Sequence, residues 1–178
     1  QMCIRDRAID VAGDCFKLSE KAGIQFVMAM GVAFFCPYQG VISDDATLNV
    51  VNKLYEKGIR RLYLAASTGM ENPLHINRVF TRVLDQWPDI ELGFHMHERT
   101  GMAAANMFAA LNAGATSVEG SICGIGGGIV MPGGMGDIGN IPTEDIVNML
   151  NRSGLDTGLD TKLMASTAKK IEGILGIP

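Results

Sequence analysis

The sequence predicts an α/β chain in which a parallel sheet lies beneath a layer of helices. Four runs of strand length are apolar on both faces: IQFVMAMGVAFF (24–35), RRLYLAAS (60–67), IELGFHMH (90–97) and ATSVEGSICG (115–124). Strands covered on both sides read this way, whereas half-exposed strands alternate. Helical patterns separate the runs, and strand plus helix recurs at roughly 30 residues, the length of a βαβ unit.

The elements follow in order. Residues 8–22 carry Ile9, Val11, Ala12, Cys15, Phe16 and Leu18 at near-helical spacing, with Gly23 placed to end the helix. The opening QMCIRDR does not fit that pattern and resembles a non-native leader, so 1–7 is set apart and 8–178 is read as one domain. The first apolar run ends at Cys36-Pro37. SDDATLNVVNKLYEKG (43–58) has Ser43 as N-cap and Gly58 at its end, and NPLHINRVFTRVLDQW (72–87) has Pro73 in its first turn. TGMAAANMFAALNAG (100–114) closes on Gly114. TEDIVNMLNRSG (143–154) starts with a Thr143 cap and an acidic first turn, and a further amphipathic helix fills 160–176. Four such units fit either an open doubly wound sheet or part of an eight-stranded barrel, which takes about 250 residues when complete. Length alone favours the open sheet.

Composition narrows the function. With 47% apolar and 19% charged residues the chain can bury one sizeable core. A net charge of -4 without a basic cluster leaves no footprint for nucleic acid or an anionic membrane, so a small molecule is the expected partner. The cysteines at 3, 15, 36 and 123 lack CxxC spacing, which points to unpaired thiols in a reducing cytoplasm.

Two segments carry chemistry. In LGFHMHERTG (92–101), strand alternation puts His95 and His97 on one side and Met96 on the other, the arrangement of a metal-binding pair at a strand's C-terminal end. The competing reading is a pair of buried structural histidines. His75, within a helix, is read as solvated or packed against a neighbouring helix. From Gly120 to Gly139, nine of twenty residues are glycine, a composition that lets a loop fold closely over a ligand. A phosphate cradle fits less well, because no GKS or GKT is present and GIGGG at 124–128 lacks dinucleotide-binding spacing. Asn140 offers an amide oxygen just before a helix, as a third ligand or simply as a turn residue.

Together CPYQG (36–40), FHMHERTGMAAANMFAALNAG (94–114), GIGGG (124–128) and GNIPTEDIVNMLNRSGLDTGLD (139–160) resemble the 3-hydroxy-3-methylglutaryl-CoA lyase family, within the metal-dependent acyl-CoA lyases and synthases, from about Ile24 to Gly176. The resemblance implies a (β/α)8 TIM barrel, of which this chain covers roughly strands five to eight plus C-terminal helices. It implies His95, His97 and Asn140 as metal ligands, His95 and Glu144 as catalytic residues, and Gly124, Gly126, Gly127 and Gly128 as a substrate lid loop. It further implies a divalent cation, Mg²⁺ or Mn²⁺, an acyl-CoA substrate cleaved by retro-aldol or retro-Claisen chemistry, and a homodimer when complete. The family's metal-binding aspartate, beside an arginine, follows a first strand that this sequence does not contain. Three positions depart from the family pattern: Ala66 replaces an acidic residue, Gly128 replaces the loop cysteine, and Glu98 replaces the aspartate after the second histidine. The glycine loop is also longer. A 4-hydroxy-2-oxoacid aldolase and a catalytically inactive barrel fragment are the alternatives.

Overall fold

The computed structural model describes residues 2–127 and 138–176, with side chains from residue 6 onward. Gly128, one of the four glycines assigned to the lid loop, lies outside the described residues.

Helix α1 spans Met2–Lys21. It begins earlier than the periodicity suggests, because the helix runs back through the opening segment and is tied to the next helix by Asp6–Lys53 and Asp10–Lys57 ion pairs at 2.7 and 2.8 Å. The first apolar run contributes only a short strand, β1 (Met28–Met30). Beyond it the chain turns at Val32, whose φ of 56° is unusual for a β-branched residue, and the Val32 amide donates to Ser67 Oγ at 2.9 Å. The CPYQG motif then forms the tip of a hairpin, β2 (Phe35–Cys36) and β3 (Gly40–Val41). Here Gly40 adopts a φ of 76°, as the tight turn requires.

Helix α2 (Asp44–Glu56) starts at the expected cap, with the Ala46 amide donating to Ser43 Oγ. Strand β4 (Arg61–Ala66), helix α3 (Pro73–Gln86), strand β5 (Glu91–Glu98) and helix α4 (Ala103–Asn112) follow where the sequence places them. The last expected strand shrinks to β6 (Ser117–Glu119), followed by a single 3₁₀ turn over Ile122–Gly124. A two-residue strand, β7 (Gly139–Asn140), precedes α5 (Thr143–Arg152) and α6 (Thr161–Leu175). Thr143 is the first residue of α5 rather than its cap: Pro142 stands at the cap, and the Thr143 amide is held by the Ser121 carbonyl at 2.9 Å.

The parallel strands lie in chain order, β1-β4-β5-β6. A doubly wound sheet reverses its order at a switch point. This sheet does not, so successive right-handed crossovers put the helices on one face, where α1 meets α2, α2 meets α3 and α3 meets α4. That is the winding of a barrel. The helix-facing side is apolar: Leu62, Leu64 and Ala66 of β4 and Leu92, Phe94 and Met96 of β5 belong to one buried cluster with Val51, Ile76, Val79 and Phe80. Phe34, Phe80 and Phe94 pack ring to ring at 5.7–6.3 Å between centroids. His75 is packed rather than solvated; its ring stands nearly perpendicular to that of Phe34, 5.7 Å between centroids, and its Nε2 lies 3.2 Å from Asp44.

Candidate functional site

The opposite side of the sheet is polar and layered by register. Arg61 pairs with Glu91, Tyr63 with Gly93 and Gly93 with Ser117, Ala65 with His95 and His95 with Glu119. An ion pair joins Arg61 to Glu91 at 2.7 Å. In the middle layer a Cβ on Gly93 would come within 2.6 Å of both the Tyr63 ring and Ser117 Oγ, so glycine is what lets the Tyr63 ring cross the strand. The layer nearest the strands' C-terminal ends contains His95.

His95 and His97 emerge on the same side of β5, and their Nε2 atoms approach to 3.1 Å. Antiparallel β7 sets Asn140 directly opposite His97. Residues directly opposite each other in a ladder project to the same face, so all three side chains share it. The Asn140 amide nitrogen donates to the Ile125 carbonyl at 2.9 Å, leaving Oδ1 buried without a hydrogen-bond partner. Burial is the main cause holding the His97 imidazole below its ordinary pKa, and the neighbouring His95 adds to it; the Gly139 backbone acts the other way. A ring kept neutral in this way has a lone pair available for a cation.

These residues fit a divalent cation. Adjacent ligands of an octahedral shell with bonds of about 2.1 Å lie about 3.0 Å apart, close to the separation of the two Nε2 atoms. The orphaned Asn140 Oδ1 supplies an oxygen donor on the same face. Among the described residues no three histidine, cysteine, aspartate or glutamate side chains are grouped to hold a cation without it.

The glycine segment is a cradle for Asn140. A Cβ on Gly124 would lie 2.9 Å from the Asn140 carbonyl and one on Gly126 would lie 3.0 Å from its amide nitrogen, and both glycines have positive φ. Gly127 bridges to Gly139. Glu144 works at the root of the same loop: the Cys123 amide donates to both of its carboxylate oxygens, at 2.9 and 3.1 Å. The structure thus joins His95, His97 and Asn140, and joins Glu144 to the start of the glycine loop.

Of the positions departing from the family pattern, Ala66 lies on the helix-facing side in the apolar cluster, paired with Met96, away from the face that carries His95. Glu98 caps α4, accepting from the amides of Gly101 at 2.6 Å and Ala103 at 3.0 Å.

Three residues escaped sequence reasoning. Glu119 places Oε1 3.0 Å from His95 Nδ1. Glu71, only 3% exposed, accepts from the Thr68 amide and hydroxyl and has its pKa raised by burial. Asn106 donates to the Glu71 carbonyl, fastening α4 to the loop after β4. Glu119 and Asn106 are marked only by long-range contacts, and Glu71 by its burial beside Thr68.

Comparison with known proteins gives the family. The HMGL-like family model matches residues 2–171. The chain belongs to the HMGL-like family. Within it, the chain is 31% identical over 156 residues to the (R)-citramalyl-CoA lyase of Chloroflexus aurantiacus, covering 88% of this chain and 48% of that protein. It is 33% identical over 160 residues to a hydroxymethylglutaryl-CoA lyase of Bacillus subtilis, covering 90% and 52%. The crystal structure of the Bacillus subtilis HMG-CoA lyase superposes with a TM-score of 0.87 at 31% identity, over 96% of this chain and 56% of that one. An HMG-CoA lyase from Acinetobacter baumannii, solved with coenzyme A and 3-methylmalate, gives 0.81 at 30% identity, over 92% and 52%. The chain spans about half the length of the curated relatives it matches. Cys15, Cys36 and Cys123 are unpaired, and among the described residues no helix is long and apolar enough to cross a membrane.

Proposed function

We propose that this chain forms roughly strands five to eight of a divalent-metal-dependent acyl-CoA lyase barrel, which cleaves the C2–C3 bond of a 3-hydroxy-acyl-CoA to give a shorter acyl-CoA and a keto acid. The observation that carries the proposal is the convergence of His95 and His97 with the unpartnered oxygen of Asn140 on one face of the sheet.

His95, His97 and Asn140 would hold Mg²⁺ or Mn²⁺, two nitrogens and an oxygen being a suitable partial set for either. When bound, such an ion polarises substrate oxygens and offsets charge developing on them. The chain's own groups do the rest. The C3 hydroxyl must lose a proton as the C2–C3 bond breaks; C3 becomes the keto carbon, and C2 of the departing acyl-CoA takes up a proton. We assign that proton to the His95 imidazole, whose side chain is a quarter exposed at the strand end while His97 is buried. Glu144 acts by fixing the Cys123 turn, and through it the glycine loop that cradles Asn140. We assign the lid role to that loop, including Gly128.

The names of the relatives supply the substrate candidates. 3-Hydroxy-3-methylglutaryl-CoA and citramalyl-CoA both carry a tertiary C3 hydroxyl and differ by one methylene before the terminal carboxylate. The test is cleavage of both thioesters, and of further 3-hydroxy-3-substituted analogues, by the full-length protein with Mn²⁺ or with chelator. Metal-dependent release of acyl-CoA from any of them is expected; release from none would refute the lyase. Pyruvate formed from a 4-hydroxy-2-oxoacid would favour the aldolase, and Mn²⁺ binding without any turnover would favour an inactive barrel.

A further inference from the structure

We propose that Glu119 is a positioning residue for His95, holding its proton on Nδ1 and presenting the Nε2 lone pair to the face shared with His97 and Asn140. The inference rests on the metal centre proposed above.

The register of the sheet creates the contact. Glu119, the last residue of β6, is the Cα partner of His95, so the two side chains leave the sheet side by side, and Oε1 comes within 3.0 Å of Nδ1. The approach is oblique to the ring N–H, not an aligned hydrogen bond. An electrostatic preference remains at that separation, smaller than an aligned bond would give. A carboxylate oxygen at that distance repels a nitrogen lone pair and attracts an N–H, so the neutral imidazole carries its hydrogen on Nδ1. The lone pair then sits on Nε2, the atom 3.1 Å from His97 Nε2. The ligand role assigned to His95 uses Nε2. A carboxylate on the far nitrogen of a ligating histidine fixes its tautomer and orientation. The pair has little other purpose: Glu119's side chain is half exposed, and ion pairs that open to solvent contribute little to folding. Among the described residues no other carboxylate lies within ion-pair distance of either histidine.

The experiment uses the full-length protein and two readouts. The first is ¹⁵N NMR of the imidazole nitrogens without metal, with the His95 signals assigned by their loss in His95→Ala. The second is Mn²⁺ affinity by electron paramagnetic resonance. Wild type is expected to show His95 protonated at Nδ1. Glu119→Ala should lose that preference and bind Mn²⁺ about 10- to 100-fold more weakly, with an unchanged thermal midpoint in chelator. Glu119→Gln, whose amide oxygen still accepts, should keep the tautomer and recover most of the affinity. If Glu119→Ala retains the Nδ1–H tautomer and binds Mn²⁺ within twofold of wild type, the assignment is overturned. If wild type binds no Mn²⁺, the metal centre is refuted instead, and the tautomer measurement alone decides the role of Glu119.

Discussion

Replacing Glu98 with alanine should destabilise the protein by removing the cap of α4. That helix begins after Met102, whose side chain caps nothing, and the first-turn amides rely on the Glu98 carboxylate, which accepts from Gly101 and Ala103. The two bonds differ in value. Gly101 is exposed, so water replaces its partner at little cost, whereas Ala103 is 1% exposed. Its amide would lose its side-chain acceptor, at a cost of about 1–2 kcal/mol. Loss of a negative charge at the helix N-terminus adds about 0.5 kcal/mol. The total of about 2 kcal/mol corresponds to a fall in thermal midpoint of roughly 4–8 °C for a domain of this size. Scanning calorimetry in chelator separates the effect from metal binding. Glu98→Gln, which keeps one acceptor oxygen, should recover roughly half of the loss. A Glu98→Ala protein melting within 1 °C of wild type would show that the capping bonds carry no stability.

Three further outcomes are expected. Added Mn²⁺ should raise the thermal midpoint, in proportion to about 2.7 kcal/mol at a hundredfold excess over Kd, and chelator, His97→Ala or Asn140→Ala should each abolish the rise. The Arg78 guanidinium, with Arg82 and His75, holds the Asp44 carboxyl at about 2, below its ordinary 3.8. Because the folded-state value is depressed, the stability it supplies is complete above about pH 4 and vanishes as pH falls through about 2. Discounted for the exposure of both arginines, that is about 1–2 kcal/mol, and acid titration of Asp44→Asn should lack it. Burial raises the Glu71 carboxyl, so its charged form weakens the fold as pH rises. Glu71→Gln should therefore melt higher than wild type at pH 8 and gain less at pH 4, in paired thermal scans.

The helices were legible because their signals are local. Ser43 and Asp160 cap the helices they precede, and Pro73 opens the first turn of α3. The long apolar runs at 60–67 and 90–97 became β4 and β5. What the sequence hid is set by pairing at a distance. β7 has two residues and exists because Gly139 and Asn140 meet Glu98 and His97; no period can be read from two residues. The run at 24–35 yielded only three strand residues because Phe34 leaves the sheet to join Phe80 and Phe94, and Phe35 turns into a hairpin. Glu98 read as a variant of a site residue and serves as a cap. Of the candidate site, the paired histidines were visible from alternation and Asn140 from its place before a helix; Glu119, and the pairing that sets Asn140 opposite His97, depended on register with β6 and β7.

That register explains why one short strand can serve both fold and chemistry. Along β5, Leu92, Phe94 and Met96 are wholly buried against helices, and Gly93, His95 and His97 face the other way. Period two separates the tasks, so the even-numbered residues can be packed to full density without constraining the odd-numbered ones. The packing in turn fixes the odd ones. Phe94 is held edge-on by both Phe34 and Phe80, which prevents β5 from sliding, and a slip of a single residue would exchange the two faces. With the slip blocked, His95 must stand beside Glu119 and His97 opposite Asn140. A substitution that loosens the aromatic cluster should therefore disturb cation affinity as well as stability, although none of its rings touches the polar face.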